Sequence, residues 1–528
     1  MKRTKKFLVG FLAALSVLCG TLGLAACDQQ ESSSSSNSSS VEQSSSSDSG
    51  SGLQGGNVGD TDNDTEQGGD NDDTDNEEVL VPSQGLEYTL LENDTYEVTS
   101  IGDCKDTEIV IPATYNGKAV TSIREMGFSL CDDMKSIFIP DGVASIGVGA
   151  FYACSSLTRI NVSKNNTTYK DIEGNLYTKD GTTLLQYAVG KTNTSFIIPE
   201  SVTCIGSCAF SFCSGLTSIV VPSGVTSIAG GAFLAWRSLT SIVIPNSVTS
   251  IGASAFYDCG SLTSVYISSV EAWCNISFGD YYANPLSFKT NLYLNNELIT
   301  ELEIPDTIRE IKSYAFYYCN NLTSIEIPDS VTSIGNSAFY GCLSLTSIEI
   351  PDSVTSIGER AFEDCTSLKY NEKGNLKYLG NEENPYMYLA GNSDTSITSA
   401  TIESTCKFIG SMAFYCCYGL TSVVLGDSVT SIGGDAFHGC SSLTSVEIPD
   451  SVTRIYAGAF YGCESLTSVV IGKGVVSIGE SAFADCESLN SITFNGKKAQ
   501  WIGISKHRVW ISDVPATKVV CSDGEVSL

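Results

Sequence analysis

Among residue types with reactive side chains, cysteine has the most regular spacing in this sequence. A Phe preceded by Ala, or by Gly in the first copy, occurs twelve times, and a Cys follows this landmark Phe three residues later in eleven copies. These cysteines, the cysteine column, are Cys131, Cys154, Cys213, Cys259, Cys319, Cys342, Cys365, Cys417, Cys440, Cys463 and Cys486, and Trp236 takes the remaining place. A zinc site needs thiolates that converge on one point, usually as Cys-x-x-Cys pairs. One Cys per copy, replaceable by Trp, indicates a buried column of small apolar thiols, with zinc binding or catalysis as the alternatives.

Disulfide formation is a second chemistry open to these thiols. If successive copies stack as β-strands, neighbouring thiols lie about 4.8 Å apart, within reach of a disulfide. Five cysteines outside the column are better candidates for pairing, and the sequence leaves their connectivity open. They are Cys204, Cys208, Cys406, Cys416 and Cys521.

The two histidines and the acidic runs predict no catalytic or metal site. His438 directly follows a landmark Phe, at a position that elsewhere holds Tyr, Ser, Leu, Glu or Ala, so we expect a solvated surface residue. Neither His438 nor His507 accompanies a nucleophile or metal motif, and no Gly-rich phosphate loop occurs. The run Asp60–Asp64 resembles a calcium loop but lacks the central Gly and the closing Glu. We therefore predict no enzymatic activity, no cofactor and no bound metal.

The landmark Phe marks a repeat that extends over most of the chain. It occurs at positions 128, 151, 210, 233, 256, 316, 339, 362, 414, 437, 460 and 483. Successive positions differ by 23 residues except for gaps of 59, 60 and 52, which are one repeat plus insertions of 36, 37 and 29 residues. A fixed period in the twenties is typical of a solenoid with one coil per repeat.

The copy Leu345–Cys365, LTSIEIPDSVTSIGERAFEDC, shows what each position does. Ile348 and Ile350 share one face of a strand, and Pro351 ends that strand because it has no N–H for a ladder. The landmark Phe362 supplies the bulk that closes the coil. Because one coil buries too little apolar surface to offset its ordering entropy, we expect a long stack with capped ends.

The pattern LxxIxIPxxVxxIGxxAFxxC resembles the BspA-type leucine-rich repeat of bacterial surface proteins, over about residues 85–495. The resemblance implies a solenoid whose strands stack into a parallel sheet on one face. It also implies adhesion, since members bind host matrix proteins, host cells or other bacteria. The family has no shared ligand motif, so no binding residue is carried over. The sequence departs from the pattern at Trp236 and at Lys369 and Tyr370.

The predicted fold is a β-rich leucine-rich-repeat solenoid of twelve 23-residue coils, with a stacked parallel sheet, three insertions and terminal caps. The cap prediction rests on a sequence parallel, because Trp273 in the second insertion and Trp501 near the C-terminus are each followed by Ile and Ser at the same spacing. The predicted organisation is a signal peptide at 1–26, a Ser-rich and then acidic tether at 27–78, an N-terminal cap at 79–120, the solenoid at 121–495 with insertions at about 163–199, 268–304 and 369–405, and a C-terminal cap at 496–528.

The first residues predict export and a lipid anchor. A basic start, MKRTKK, precedes an apolar run that ends at Leu24-Ala25-Ala26-Cys27, which resembles the lipobox of bacterial lipoproteins. The resemblance implies that the Cys27 thiol carries the lipid and becomes the first mature residue; an uncleaved membrane helix is the alternative. In either case we expect an extracellular protein held at the bacterial cell membrane.

The charge of the chain excludes one class of partner. The sequence has 60 acidic and 29 basic residues, a net charge of −31, and after the basic start MKRTKK it has no basic cluster to offset this charge. Such a field repels phosphate backbones, so we predict no nucleic-acid partner. Extracellular proteins of the host or of other bacteria are the predicted partners.

Two rows of outward positions are candidate binding surfaces. The first is the strand face, the outward position between the two inward strand residues, where we single out Val220, Val243, Tyr266, Glu326, Glu349 and Glu447. The second is the tyrosine ridge, directly after the landmark Phe, with Tyr152, Tyr257, Tyr317, Tyr340, Tyr415 and Tyr461. Exposed tyrosines at regular spacing suit interfaces, but the same rings could merely cover adjacent coils.

The function that this sequence favours is protein-binding adhesion at the cell surface. The alternatives are a module that captures glycans or nutrients, and a structural envelope protein without a specific ligand. Aromatic side chains clustered in one loop would favour a glycan, whereas aromatic side chains spread along the face would favour a protein.

Overall fold

The structure is a computed structural model that describes residues 80–286 and 289–528, and it confirms the repeat solenoid. Each regular coil contributes two short strands, and each strand pairs in parallel with the strand 23 residues away, as Ser347 does with Ser324 and Ser356 with Ser333. The coil therefore builds two parallel ladders, whereas the family resemblance implied one. The predicted signal peptide, including Cys27, and the predicted tether lie outside the described residues.

The first part of the array begins with an antiparallel pair and ends in the first insertion. Its strands are β1 Glu87–Leu90, β2 Tyr96–Ser100, β3 Glu108–Val110, β4 Thr114–Tyr115, β5 Lys118–Ile123, β6 Ser136–Ile139, β7 Ser145–Ile146, β8 Arg159–Val162, β9 Tyr169–Ile172, β10 Asn175–Thr178 and β11 Thr183–Gln186. β1 lies antiparallel to β2, which starts the parallel ladder to β5 and β7. In the insertion β9, β10 and β11 form antiparallel hairpins, and β11 rejoins the next coil in parallel.

The second part ends in a short helix and a hairpin. Its elements are β12 Ser195–Ile197, β13 Cys204–Ile205, β14 Ser218–Val220, β15 Ser227–Ile228, β16 Ser241–Val243, β17 Ser250–Ile251, β18 Ser264–Ile267, α1 Val270–Cys274, β19 Ser277–Phe278, β20 Asn291–Leu294 and β21 Glu297–Leu298. After α1, β19 extends one ladder and β20 extends the other, and β21 folds back antiparallel on β20.

The third part restarts both ladders. Its strands are β22 Glu301–Glu303, β23 Glu310–Ile311, β24 Ser324–Glu326, β25 Ser333–Ile334, β26 Ser347–Ile348, β27 Ser356–Ile357, β28 Asn371–Lys373, β29 Leu376–Leu379 and β30 Tyr388–Asn392. Among the described strands, β22 and β23 pair only with later coils, so both sheets are interrupted after the second insertion. The third insertion is the antiparallel set β28, β29 and β30.

The last part closes with a second copy of the helix and hairpin. Its elements are β31 Ser399–Thr401, β32 Phe408–Ile409, β33 Ser422–Val424, β34 Ser431–Ile432, β35 Ser445–Ile448, β36 Arg454–Ile455, β37 Ser468–Ile471, β38 Ser477–Ile478, β39 Ser491–Phe494, α2 Lys498–Gly503, β40 Ser505–Lys506, β41 Lys518–Cys521 and β42 Gly524–Ser527. The order α2, β40, β41, β42 repeats the order α1, β19, β20, β21, with the same ladder partners. Trp273 and Trp501 are both buried in these helices.

The core is a set of columns that run along the array. Landmark rings stack on one another, with centroids 5.5 Å apart for Phe316 and Phe339 and 5.0 Å apart for Phe437 and Phe460. Between consecutive regular coils, the landmark amide donates to the Ala carbonyl of the next coil, as Phe316 does to Ala338 at 2.8 Å. Residues at equivalent inward positions thus pack against one another from coil to coil, because each coil has 23 residues and the strands pair in register.

The cysteine column is buried, apart from the half-buried Cys131. A column thiol lies next to the backbone of the preceding coil, and the Cys342 Sγ donates to the Phe316 carbonyl at 3.2 Å. The same bond, 26 residues back along the chain, is made by Cys154, Cys259, Cys365, Cys440, Cys463 and Cys486. In these seven coils the thiol therefore both fills space and satisfies a buried carbonyl.

The pairing expected for the cysteines outside the column is not found. All the cysteines of the described residues are free thiols, including Cys204, Cys208, Cys406, Cys416 and Cys521. These five cysteines lie in three different coils: Cys204 is in β13 with Cys208 in the turn after it, Cys406 precedes β32 with Cys416 in the turn after it, and Cys521 is in β41.

Each of the three insertions makes the same type of hydrogen bond to the coil that follows it. At the end of each insertion a side-chain amide donates to the carbonyl of the Ala that precedes the next landmark Phe. The pairs are Gln186 with Ala209 at 3.2 Å, Asn284 with Ala315 at 3.3 Å, and Asn392 with Ala413 at 2.8 Å. These amide clasps use the acceptor that a landmark amide uses in the regular coils.

Candidate functional site

The strand face carries an exposed apolar column. The side chains of Ile197, Val220 and Val243 are 69%, 55% and 54% exposed. Ile197 lies opposite Val220 in the ladder of β12 and β14, and Val243 lies opposite Tyr266 in the ladder of β16 and β18. The structure thus places the predicted residues Val220, Val243 and Tyr266 in one row, and adds Ile197 at its N-terminal end.

Tyr293 extends this row into the second insertion. Its ring stacks on that of Tyr266, with centroids 4.9 Å apart and planes 24° apart. The sequence prediction missed Tyr293 because the insertion has no landmark Phe to set the register. The alternation Leu292-Tyr293-Leu294 was the available signal, since it repeats the inward-outward-inward pattern of a ladder strand.

An acidic row follows the apolar row. Glu326 lies opposite Glu303 in the ladder of β22 and β24, and Glu349 follows one coil later on the same face. All three carboxylates are exposed, and none takes part in the ion pairs of the described residues. Like charges directly opposite one another repel, so this row is a local source of negative potential.

Glu447 belongs to a different patch. The third insertion separates it from Glu349, and it borders a shallow depression of about 450 Å³ together with Val424, Asp427 and Asp450. The six predicted residues of the strand face therefore divide into the apolar row of the second part, the acidic row of the third part, and Glu447 in the last part.

Tyr152 is not part of a surface ridge. Its side chain is only 3% exposed and packs in a small cluster outside the main core with Cys208 and Leu234. The ring of Phe212 contacts it edge to face, with centroids 5.1 Å apart. The reason is that the neighbouring coils carry Ser and Leu at the ridge position, and their turns leave an apolar recess that the Tyr152 ring fills.

Three ridge tyrosines, Tyr257, Tyr317 and Tyr340, belong to one aromatic cluster. Tyr317 stacks on Tyr340 at 5.2 Å, and Tyr257 meets Tyr282 edge to face at 4.6 Å. The cluster is completed by four tyrosines outside the ridge position, Tyr281, Tyr282, Tyr314 and Tyr318. The sequence prediction did not connect these rings, since they come from three separate stretches of chain.

The remaining ridge tyrosines form a stack around His438. The imidazole lies between Tyr415 and Tyr461, with 4.8 Å between centroids on both sides, and its Nδ1 is 3.2 Å from an Asp435 carboxylate oxygen. The histidine, which was predicted to be a solvated surface residue, is partly covered, since its side chain is 28% exposed. Its aromatic neighbours one coil away on either side cover both ring faces.

The environment of the thiols disfavours nucleophilic chemistry. Burial raises the pKa of Cys154, Cys259 and Cys319 from 9.0 to about 12, so these thiols stay protonated at neutral pH. In the part of the chain that the structure describes, no three His, Cys, Asp or Glu side chains are grouped to hold a metal ion. Within the same residues, every helix is too short to cross a membrane.

Several solved structures that are similar to this chain are leucine-rich repeat proteins of bacteria. They include a leucine-rich repeat protein from Eubacterium ventriosum, with 28% identity over 51% of this chain and 68% of that chain and a TM-score of 0.38. A leucine rich cell surface protein from Faecalibacterium prausnitzii has 26% identity over 80% and 96%, with a TM-score of 0.25. A leucine-rich repeat protein from Bacteroides ovatus has 25% identity over 84% and 99%, with a TM-score of 0.30. Among curated proteins, none matches.

One family profile matches most of the chain. It describes the BspA type leucine rich repeat region, and it matches in four segments that together span well over half of the residues. The segments are 98–177, 185–283, 286–383 and 391–503, so their boundaries fall within the three insertions. The chain belongs to the BspA-type leucine-rich-repeat family.

Proposed function

We propose that this chain is an extracellular, lipid-anchored adhesin that binds a protein on the strand face of its second and third parts. The observation that carries the proposal is a row of outward side chains on two successive sheets, made of the exposed Ile197, Val220 and Val243 and the half-buried Tyr266 and Tyr293. Contiguous exposed apolar side chains are uncommon on soluble proteins and mark interaction surfaces. The tyrosines add large contact area at low entropic cost.

The acidic row that follows in the third part indicates the charge of the partner. Glu303, Glu326 and Glu349 present three exposed carboxylates at the outward strand position after the second insertion. A partner with an apolar contact strip and basic residues at its rim would be complementary to both rows. The charges mainly steer the encounter, and the apolar row supplies the buried contact.

The lipid anchor is part of the proposal. It rests on the N-terminal apolar run, which ends with Leu24–Cys27. Anchored at Cys27 and carried on a Ser-rich and acidic tether, the solenoid would stand away from the membrane. A mass spectrum of the mature N-terminal peptide tests this, and an unmodified peptide that contains Met1 would refute it.

The binding proposal is tested by the variant Val220→Thr with Val243→Thr. Threonine keeps the β-branched shape at an exposed strand position but removes apolar surface, so we expect affinity for a matrix protein to fall roughly fivefold to tenfold with little change in melting. The measurement is surface plasmon resonance of the full chain on immobilised fibronectin, laminin and collagen.

The matched control is Val424→Thr. Val424 occupies the same coil position and is 59% exposed, but it lies beyond the third insertion. Equal losses for the control and the double variant, or no loss for either, would refute the assignment of the binding site to this part of the strand face.

A further inference from the structure

At the second insertion, the landmark turns of successive coils are no longer joined by their usual backbone hydrogen bond. In regular coils a landmark amide donates to the Ala carbonyl of the next coil, as between Phe339 and Ala361 at 2.9 Å. At this junction the Ala315 carbonyl instead accepts from two side chains, Trp273 Nε1 at 2.9 Å and Asn284 Nδ2 at 3.3 Å. The direct backbone contact between the coils is thus replaced by a contact through side chains.

The landmark ring is also missing from the coil that the insertion contributes. The Phe256 amide donates to the Tyr282 carbonyl, which places Ala283 where a regular coil has its landmark Phe. Ala283 is fully buried and fills much less volume than a phenyl ring. Ala283 leaves the volume of a phenyl ring unfilled, and the side chains of Trp273 and Asn284 hold the two coils apart. Together these two features account for a cleft on the turn side of the coils.

This tyrosine cleft has a volume of about 380 Å³, within the roughly 300–1,000 Å³ of small-ligand sites. One wall comes from the preceding coil, with Phe256 and Asp258, and the opposite wall from the following coil, with Tyr317 and Tyr318. The turn of the insertion, Tyr281–Leu286, supplies the rest of the lining. Three separate stretches of chain therefore converge on one concave surface.

The rings at the cleft are arranged to offer faces as well as edges. Tyr281 and Tyr282 are 42% and 38% exposed, with centroids 4.0 Å apart and planes tilted by 43°. Tyr281 also lies 5.9 Å from Tyr317 at a tilt of 41°. In the stack of Tyr415, His438 and Tyr461 the tilts are smaller, with planes 30° and 23° apart.

The polar groups and the charge of the cleft restrict the class of ligand. Of the described residues that line the cleft, Asp258 alone is charged, and its carboxylate forms an ion pair with Arg237. Among the described residues, none that lines the cleft is basic, and the chain has a net charge of −31, so an anionic ligand is disfavoured. Tyrosine hydroxyls, one carboxylate and aromatic faces match a neutral molecule with many hydroxyl groups and apolar C–H faces.

We propose that the tyrosine cleft binds a short neutral oligosaccharide. The C–H face of one sugar ring packs on Tyr281 and Tyr282, while sugar hydroxyls donate to the Asp258 carboxylate and exchange hydrogen bonds with tyrosine hydroxyls. The cleft lies on the turn side of the coils, away from the strand face, so this activity is separate from the proposed protein binding.

The test uses the full chain on an array of neutral gluco-, manno-, galacto- and N-acetylglucosamine oligosaccharides, beside sulfated and uronic-acid glycans. We expect retention of neutral oligosaccharides and a loss of roughly tenfold or more in affinity for Tyr281→Ala with Tyr282→Ala. Tyr281→Phe with Tyr282→Phe keeps the rings, and we expect it to retain most of the binding. Tyr415→Ala with Tyr461→Ala is the matched control and should bind as the unchanged protein does.

Several results would overturn the proposal. They are the absence of any neutral oligosaccharide binding, a preference for the anionic glycans, or binding that survives removal of both rings. Protein binding lost in the ring variant without any glycan binding would identify the cleft as a protein contact instead. If Tyr281→Ala with Tyr282→Ala lowers the melting temperature, Asp258→Asn is tested instead. Unchanged oligosaccharide binding in Asp258→Asn would exclude the cleft as the binding site. The variant Val220→Thr with Val243→Thr should leave glycan binding intact, so the two proposals fail independently.

Discussion

At the scale of single residues, the cysteine column shows how one side chain serves both packing and hydrogen bonding. The Cys342 thiol is fully buried and donates to the Phe316 carbonyl. Its burial raises its pKa well above 9.0, so the thiol is kept as a neutral donor. Alanine would leave both a small void and a buried carbonyl without its partner.

We therefore expect Cys342→Ala to lower the free energy of unfolding by about 1 to 2 kcal/mol. Chemical denaturation followed by circular dichroism measures it. Cys131→Ala is the control and should cost less, since Cys131 is half-buried and its nearest acceptor, the Ser129 carbonyl, lies 3.9 Å away. Stoichiometric zinc in the purified protein that disappears in Cys342→Ala would contradict the structural role of the column.

At the scale of strands, the acidic row illustrates how identical positions on successive coils sum their charge. Glu326 faces Glu303 across one ladder step, and Glu349 follows in the next coil. Such exposed carboxylates contribute little to folding, because solvent screens them. Their influence on an approaching charged partner is larger, since they act together.

For Glu326→Lys with Glu349→Lys we expect slower association and weaker binding to a confirmed protein ligand, with a smaller effect at high salt. Melting should hardly change, because both side chains point to water. Association rates at two ionic strengths test this, and Glu447→Lys is the control because it lies in the separate patch beyond the third insertion. Unchanged association in the double variant would remove the acidic row from the binding site.

At the scale of the whole molecule, the solenoid is a chain of segments that meet at the insertions. The core forms three successive clusters, and the second and third adjoin at the third insertion, where Leu379 and Tyr388 belong to one and Leu376 and Leu389 to the other. In a linear array, each interface between neighbours determines whether the segments unfold together. The amide clasp of Asn392 on Ala413 lies at this junction.

We expect Asn392→Ala to lower stability by about 1 to 3 kcal/mol and to make the part after residue 391 unfold before the rest. The amide also contacts the Cys417 sulfur, so both bonds are lost. Hydrogen exchange resolved by segment is the measurement, and Glu382→Ala, an exposed change in the same insertion, is the control. A uniform loss of protection along all coils would contradict segmental unfolding.

The regular part of this protein was determined by its sequence alone. The 23-residue spacing of the landmark Phe predicts the coil, and the coil predicts the register, because identical residues stack when identical coils stack. Val220, Val243 and Glu326 could be placed on the surface for the same reason. The second ladder, formed by short strands such as Ser356–Ile357, was not expected, since two residues are too few to show an alternating pattern.

Only the tertiary structure shows which residues on the two sides of an insertion come into contact. Tyr281 and Tyr282 meet Tyr257 and Tyr317 only because the insertion folds into an extra coil, and Tyr152 is buried only because its neighbouring turns leave a recess. Periodicity fixes a residue's place within its own coil. Contacts between coils of unequal length depend on the path of the chain and on bonds such as Trp273 to Ala315, which no repeat pattern contains.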